Sequence, residues 1–413
     1  MIAKIRSLSP GLRQYLLVTF NYWNFTLTDG ALRMLVVLHF HQLGYSPLAI
    51  ASLFLFYEIF GVVTNLVGGY LGARIGLNRT MNLGLGMQVV ALLMLAVPSA
   101  WLSVPYVMAA QALSGIAKDL NKMSAKSAIK TLVPKGQPGA LYHWVAVLTG
   151  SKNALKGAGF FLGSLLLVLL GFQGAMVVMA SVLLLVLLAS LNWLGRDLGR
   201  AKGKPKFSQL LSKSPSVNIL SAARLFLFGA RDLWFVVALP VYLGSRFGWS
   251  HTAVGGFLAL WVIGYGVIQG IAPRLTGSDR RHGEVPDGGD ALRWAGLLTG
   301  VTLAVALGVQ LQLLPQFTIV AGLMLFGAVF AVNSSLHSFL IVHYAGEDGV
   351  SLDVGFYYMA NALGRLVGTL LSGLVFQMAG LAACLWVSAA FLALTTLISL
   401  WLPRNLRQSQ GLH

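Results

Sequence analysis

GRDLGRAKGKPKFSQLLSKSPS, residues 195–216, lies at the midpoint of a chain of 413 residues. It is polar and carries six lysines and arginines. On either side the chain runs in apolar blocks of about twenty residues or more, enough for a helix to cross roughly 30 Å of hydrocarbon. Six blocks precede it, at 15–41, 48–72, 80–98, 102–130, 140–170 and 172–194. Six follow, at 217–243, 250–273, 291–311, 316–343, 353–378 and 381–402. Apolar residues make up 57% of the chain and charged residues 10%, against about 25% charged in soluble domains. The expected fold is an all-α polytopic membrane protein with twelve transmembrane helices. It divides into an amino-terminal six-helix half (1–194), a basic cytoplasmic connector (195–216) and a carboxy-terminal six-helix half (217–413).

The two halves repeat one another. LGYSPLAIASLFLFYEIFG at 43–61 aligns with FGWSHTAVGGFLALWVIGY at 247–265, an offset of 204 residues. At slightly larger offsets SKNALKGAGFFLGSLL (151–166) aligns with MANALGRLVGTLLSGL (359–374), and SGIAKDLNKMS (114–124) with FGAVFAVNSSL (326–336). Three matches in order argue for two homologous halves, the parallel-repeat plan of major facilitator transporters. A second resemblance to that superfamily lies at Gly69-Tyr-Leu71-Gly-Ala73-Arg74-Ile-Gly76-Leu-Asn-Arg79. It keeps the glycines and arginines of the family's signature after the second span, but has Ala73 where an acid usually sits. The glycine-proline motif of drug-proton antiporters is missing from the fifth span, where Gly150, Gly157, Gly159 and Gly163 come without proline.

Of the 29 basic residues, eighteen fall at the termini and after even-numbered spans, and one, Arg246, falls on the other side. That asymmetry puts both termini in the cytoplasm. The first apolar segment is long, contains Asp29 and Arg33 and lacks a small-residue cleavage site, so it reads as a true span. Ten cations remain inside spans: Arg33, Lys118, Lys122, Lys126, Lys130, Lys152, Lys156, Arg224, Arg231 and Arg365. Four acids accompany them away from the span ends: Asp29, Glu58, Asp119 and Asp232. Each such charge costs about 2.5–3.5 kcal/mol near a helix centre, so an excess of cations points to an anion handled inside the bundle.

The four lysines from Lys118 to Lys130 recur at every fourth position, one slanting stripe about 18 Å long on a helix. Arg224 and Arg231 lie within about 20° of each other around theirs, and Lys152 and Lys156 share a face. The candidate substrate-binding residues are Arg33, Lys118, Lys122, Lys126, Lys152, Lys156, Arg224, Arg231 and Arg365. The tenth span is uncharged, with Phe330, Ser334 and Ser338 at the repeat positions of Lys118, Lys122 and Lys126, which biases an anion site toward the amino-terminal half.

Each charge also has a structural reading. Lys126 and Lys130 can snorkel to headgroups. Asp29 with Arg33, and Asp119 with Lys122, have the spacing of ion pairs on one helix. Asp232 neutralises a cation that the sequence does not specify. Arg365, beside Gly364 and Gly368, suits close helix packing as well as substrate contact. Glu58 reads as a proton carrier or a buried protonated carboxyl. Asp29, Glu58, Asp119 and Asp232 are thus candidates for proton coupling or ion pairing. His39, His41, His337 and His343 read as packing residues, and Tyr22, Trp23 and Asn24 as membrane anchors or substrate contacts.

A single cysteine, Cys384, excludes a disulfide framework and a multi-thiolate metal centre. No P-loop, HExxH, CxxC or nucleophile elbow occurs in its required context, so an enzyme with a bound cofactor or metal is not expected and transport must draw on gradients. The pI near 10 reflects cytoplasmic loops and buried cations without aromatic-basic interleaving on a soluble domain, which excludes nucleic acid as a partner.

A closer resemblance runs through NYWNFTLTDGALRMLVVLHFHQLGYSPL (21–48), FLFYEIFGVVTNLVGGYLGARIGLNRTMN (54–82), QALSGIAKDLNKMSAKSAIK (111–130), VAVLTGSKNALKG (145–157) and SAARLFLFGARDLWFVVALPVYL (221–243). These resemble the organoarsenical efflux permeases of bacterial arsenic-resistance operons, the ArsJ family. The resemblance implies a multi-pass protein of the bacterial inner membrane that exports 1-arseno-3-phosphoglycerate. The functional partner it implies is a glyceraldehyde-3-phosphate dehydrogenase that makes this ester from arsenate. From charge alone, a carrier of another organic phosphate stays open, as does an anionic-lipid flippase or membrane-embedded enzyme.

Overall fold

The computed structural model describes residues 10–45, 53–132, 138–195, 198–201, 214–277 and 285–404. Most of the connector, with Lys202 and Lys204, lies outside these residues, as do Lys135 and the side chain of His41. Among the described residues every regular element is helical. The long helices are α1 (Pro10–Gln42), α2 (Leu55–Ile75), α3 (Leu77–Leu95), α4 (Val104–Leu132), α5 (Pro138–Trp193), α6 (Pro215–Phe235), α7 (Ala238–Phe247), α8 (His251–Leu275), α9 (Gly288–Gln310), α10 (Pro315–Tyr344) and α11 (Val350–Ser399).

Two of these are pairs of spans. α5 turns at Gly171 (φ 67°, ψ −179°) and α11 at Gly380 (φ 76°, ψ −173°), a backbone region glycine enters without steric penalty. These junctions fall where the sequence separates its fifth span from its sixth and its eleventh from its twelfth. The seventh span, expected to be continuous over 217–243, is instead broken between α6 and α7. Val237 leaves helical geometry there (φ −120°, ψ −53°), and the Ala238 N–H finds Ser372 Oγ at 3.2 Å. A backbone donor freed inside a bilayer requires such a partner. With α6 and α7 taken as one crossing, the described residues form twelve long helical segments. Seven helices meet the length and apolarity needed to cross a membrane, α5 and α11 counting once each. α1, α3 and α4 fall short because they carry buried polar and charged side chains.

Contacts group the chain into two compact units. The first comprises Met1–Gly136, Ser151–Leu211 and Ala345–Met359. The second comprises Gln137–Gly150, Ser212–Tyr344 and Ala360–His413. In the first unit α4 packs on α1, α2 and α3 through small residues. A Cβ on Gly84 of α3 would stand 2.9 Å from the Ala117 carbonyl, and one on Gly115 of α4 would stand 2.8 Å from that of Tyr57. Close backbone approach of this kind holds membrane helices together by dispersion, since lipid supplies little hydrophobic drive. In the second unit α10 has the equivalent place, packed on α6, α8 and α9 and buried along most of its length.

The signature around Ala73 has its own arrangement. Leu198 accepts from the Leu77 N–H at 2.8 Å, and the Ala201 N–H donates to the Ala73 carbonyl at 2.9 Å. The first residues of the connector are thus tied by backbone to the α2–α3 corner where the family's acid is absent.

Candidate functional site

In the first unit, Tyr57 of α2 organises the charges. Its hydroxyl donates to Asp29 Oδ1 of α1 at 2.7 Å. The Lys118 ammonium of α4 stands 3.7 Å from the centre of its ring, and the Arg33 guanidinium 5.1 Å from it. Arg33 then reaches Glu58 Oε1 at 3.0 Å. The expected pairing of Asp29 with Arg33 along α1 is therefore replaced by pairing across helices. The tyrosine takes Asp29, and the long arginine reaches the carboxylate next along α2. Among the described residues Asp29 has no basic group at ion-pairing distance. Glu58, which has no evident partner in the sequence, has one here.

The expected i,i+3 pair does form. Lys122 Nζ lies 2.6 Å from Asp119 Oδ1, and Lys118 Nζ lies 3.9 Å from Oδ2. Asp119 is buried against Gly61, where an added Cβ would meet its Oδ2 at 3.1 Å. The ring of Tyr358 lies 4.9 Å from Lys122 Nζ and 5.4 Å from Lys126 Nζ. Lys126 is buried rather than extended to a headgroup, and Lys130 donates to the Ala345 carbonyl. Tyr22, also buried, has a hydroxyl without a partner among the described residues. Lys152 and Lys156 are half-buried on α5, whose backbone at Lys156 approaches Gly30 of α1 so closely that a Cβ there would stand 2.7 Å from the carbonyl oxygen.

In the second unit, Arg224 is fixed by Asn361 Oδ1 at 2.9 Å and the Ser334 carbonyl at 3.2 Å, with its guanidinium 3.8 Å from the centre of Phe228. Arg231, two turns along the same face, lies 5.0 Å from Phe228 and 5.6 Å from Phe330. The partner of Asp232 is now defined: Arg231 Nε donates at 2.6 Å and Arg365 Nε at 3.0 Å. For Arg365 the structure shows the packing reading: Gly364 and Gly368 pack on the backbone of Leu225 and Gly229 and the arginine pairs with the acid. His39 stacks on Phe172 at 4.0 Å and His343 lies against Phe339. Trp23 donates to Ser151 at 2.8 Å.

The structure thus gathers Arg33, Lys118, Lys122 and Lys126 with three acids in one unit, and in the other it brings Arg231 and Arg365 to one acid, with Arg224 two turns away on Asn361 and the Ser334 carbonyl. Of the ten cations and four acids singled out above, seven and three lie in the first unit, and three and one in the second. Tyr57, Tyr358 and Phe228, the aromatic faces beneath the cations, were not singled out from the sequence. Within one helix the spacing of Phe228 between Arg224 and Arg231 could have suggested its role; Tyr57 and Tyr358 act across helices and left no such signal. The described residues chiefly offer ammonium and guanidinium groups to a ligand, chemistry suited to carboxylate and phosphoryl oxygens.

A family model described as Major Facilitator Superfamily matches residues 15–286. No curated protein matches the chain. Among solved structures, the human organic anion transporter MFSD10 superposes with a TM-score of 0.75 at 20% identity, covering 95% of this chain and 100% of that one. The E. coli fucose:proton symporter FucP superposes at 0.73 and 10% identity, covering 95% and 98%. A bacterial homologue of the iron transporter ferroportin, outward-facing, superposes at 0.71 and 15% identity, covering 95% and 99%.

Proposed function

The chain belongs to the major facilitator superfamily and is a multi-pass membrane transporter rather than an enzyme, and on that premise we propose that it is a secondary active exporter of a small multivalent organic anion. The observation that carries this is the row of Lys118, Lys122 and Lys126 on α4, held inside a span against tyrosine faces and a single acid. In a medium of low effective dielectric, lysines outnumbering their carboxylates are stabilised by a ligand that brings several negative charges. A human neighbour of the same fold is named as an organic anion transporter, in keeping with this reading.

The specific substrate we assign is 1-arseno-3-phosphoglycerate, a hard oxyanion ester carrying a carboxy-derived arsenate group and a phosphate. It rests on the resemblance of five long stretches to organoarsenical efflux permeases. With it go the bacterial inner membrane, cytoplasmic termini, division into two homologous halves at 195–216, and a glyceraldehyde-3-phosphate dehydrogenase as functional partner. The energy source is a proton gradient, and of the four acids Asp29 is the carrier. Glu58, Asp119 and Asp232 each form an ion pair with a cation, whereas Asp29 faces a hydroxyl.

Inside-out vesicles containing the protein, supplied with dehydrogenase, its substrates and arsenate, should accumulate arsenic, and excess 3-phosphoglycerate should compete. Accumulation that does not require the dehydrogenase would contradict the ester assignment. Equal uptake of other organic phosphates without arsenate would favour the broader carrier.

A further inference from the structure

In the second unit, α6 and α10 run antiparallel, and their contacts step in opposite directions along the two helices. Trp234 meets Phe326 with ring centres 5.0 Å apart, Phe228 meets Phe330 at 5.1 Å, and Arg224 donates to the Ser334 carbonyl at 3.2 Å. The next facing turn sets Ser221 of α6 against His337 of α10. Both side chains are buried, at 1% and 0% exposure. The Ser221 hydroxyl and both ring nitrogens of His337 have no hydrogen-bond partner among the described residues. The serines of α10 around His337 are bonded. Tyr265 donates to Ser334 Oγ at 2.9 Å, Ser338 to the Ser334 carbonyl at 2.7 Å, and Ser335 to the Gln269 carbonyl at 3.3 Å. Asn333, one turn earlier, is turned to the Trp294 carbonyl of α9 at 2.8 Å.

A polar atom enclosed inside a span without a partner is costly, so three of them on facing turns mark a place where a ligand completes the bonding. A serine hydroxyl both donates and accepts, and an imidazole with one proton does the same through its two nitrogens. A carboxylate or phosphoryl oxygen only accepts, and would leave part of this capacity unused. An alcohol donates and accepts, and matches it. The charge beside the pair is that of Arg224, which acts on the His337 ring and is itself held by Asn361 Oδ1 at 2.9 Å. Arg224 is 3% exposed, so a ligand at this depth is enclosed by protein, as carriage by alternating access requires.

We propose that Ser221 and His337 form a hydroxyl-recognising subsite beside Arg224, which favours an organic anion bearing an alcohol over the same anion without one. The inference rests on the reading of the protein as an organic anion exporter and adds a specificity determinant to it. His337 is then a ligand contact and not the packing residue that its sequence context suggests. A site built to bond a hydroxyl discriminates against the analogue lacking it, because its own polar atoms are then left unpaired.

The test is calorimetric titration of the full-length purified protein with two probes, 3-phosphoglycerate and 3-phosphopropionate, which differ only in the 2-hydroxyl. The parent should bind 3-phosphoglycerate about tenfold more tightly, the scale for buried polar groups left unpaired by the other probe. Ser221→Ala and His337→Leu should each weaken 3-phosphoglycerate toward the affinity of 3-phosphopropionate and leave the latter unchanged. His337→Gln, which keeps a donor and an acceptor, should recover part of the preference, whereas Arg231→Gln should weaken both probes alike. Equal affinity of the parent for the two probes, or an undiminished preference in either Ser221→Ala or His337→Leu, would overturn the subsite and leave the anion reading standing. A parent that binds neither probe would overturn that reading, and the subsite with it.

Discussion

Tyr57 touches three charges at once, and in the proposed mechanism it is the residue that would link proton and anion. Its hydroxyl satisfies Asp29, and its ring carries Lys118 and Arg33, contacts of about 0.5–2 kcal/mol each. Asp29→Asn keeps the size and the hydrogen bond but cannot carry a proton. It should retain anion exchange between equal compartments while losing acceleration by an imposed pH gradient, measured in reconstituted vesicles; unchanged gradient dependence would remove Asp29 from that role. Lys118→Gln, Lys122→Gln and Arg231→Gln each remove a cation, and each should raise the transport KM about tenfold or more, on the scale of a lost charged hydrogen bond. Lys202→Gln should leave KM within a factor of two of the parent, because it lies in the polar connector and not in a span. The lysine stripe was legible because spacing along one helix defines a face, and so was Lys122 with Asp119. Arg33 with Glu58, Tyr57 with Asp29 and Arg365 with Asp232 were not, because each joins two helices whose rotation and depth no local pattern specifies.

At the scale of elements, small residues decide which helices meet. Gly30 receives the backbone of α5 at Lys156, and a methyl group there would sit 2.7 Å from the carbonyl oxygen, so α1 and α5 must separate to admit it. Gly30→Ala should therefore lower stability by about 1–3 kcal/mol, the usual cost of overpacking, seen as a reduced melting temperature in detergent. Gly264→Ala in α8, where an added Cβ meets nothing within 4 Å, should leave the melting temperature unchanged or slightly raised; a matching drop at both sites would show that close approach is not what Gly30 provides. All twelve spans were legible as separate apolar blocks, and the turns at Gly171 and Gly380 fell at the boundaries between the fifth and sixth and the eleventh and twelfth. The break between α6 and α7 was hidden, because Val236 and Val237 continue the apolar run and the Ser372 hydroxyl that satisfies the freed Ala238 N–H lies far along the sequence.

For the whole molecule, the sign and hardness of its charges set what it can carry. Six more cations than acids lie in the spans, while the single cysteine is Cys384, a buried thiol that donates to the Ser372 carbonyl at 3.9 Å. Trivalent arsenic is soft and prefers clustered thiolates, whereas pentavalent arsenate esters are hard oxyanions matched to lysine and arginine. Superfamily membership fixes the transporter; the proposed anion rests on the charge excess, and the proposed ester on the resemblance. The measurement is growth of an arsenic-sensitive bacterium on arsenate and on arsenite, with the protein expressed alone, with a glyceraldehyde-3-phosphate dehydrogenase that makes the ester, and with that enzyme beside the Cys384→Ala variant. Protection against arsenate alone, requiring both proteins and intact in Cys384→Ala, is the result expected; arsenite resistance from the permease by itself, or loss of protection in Cys384→Ala, would contradict the account.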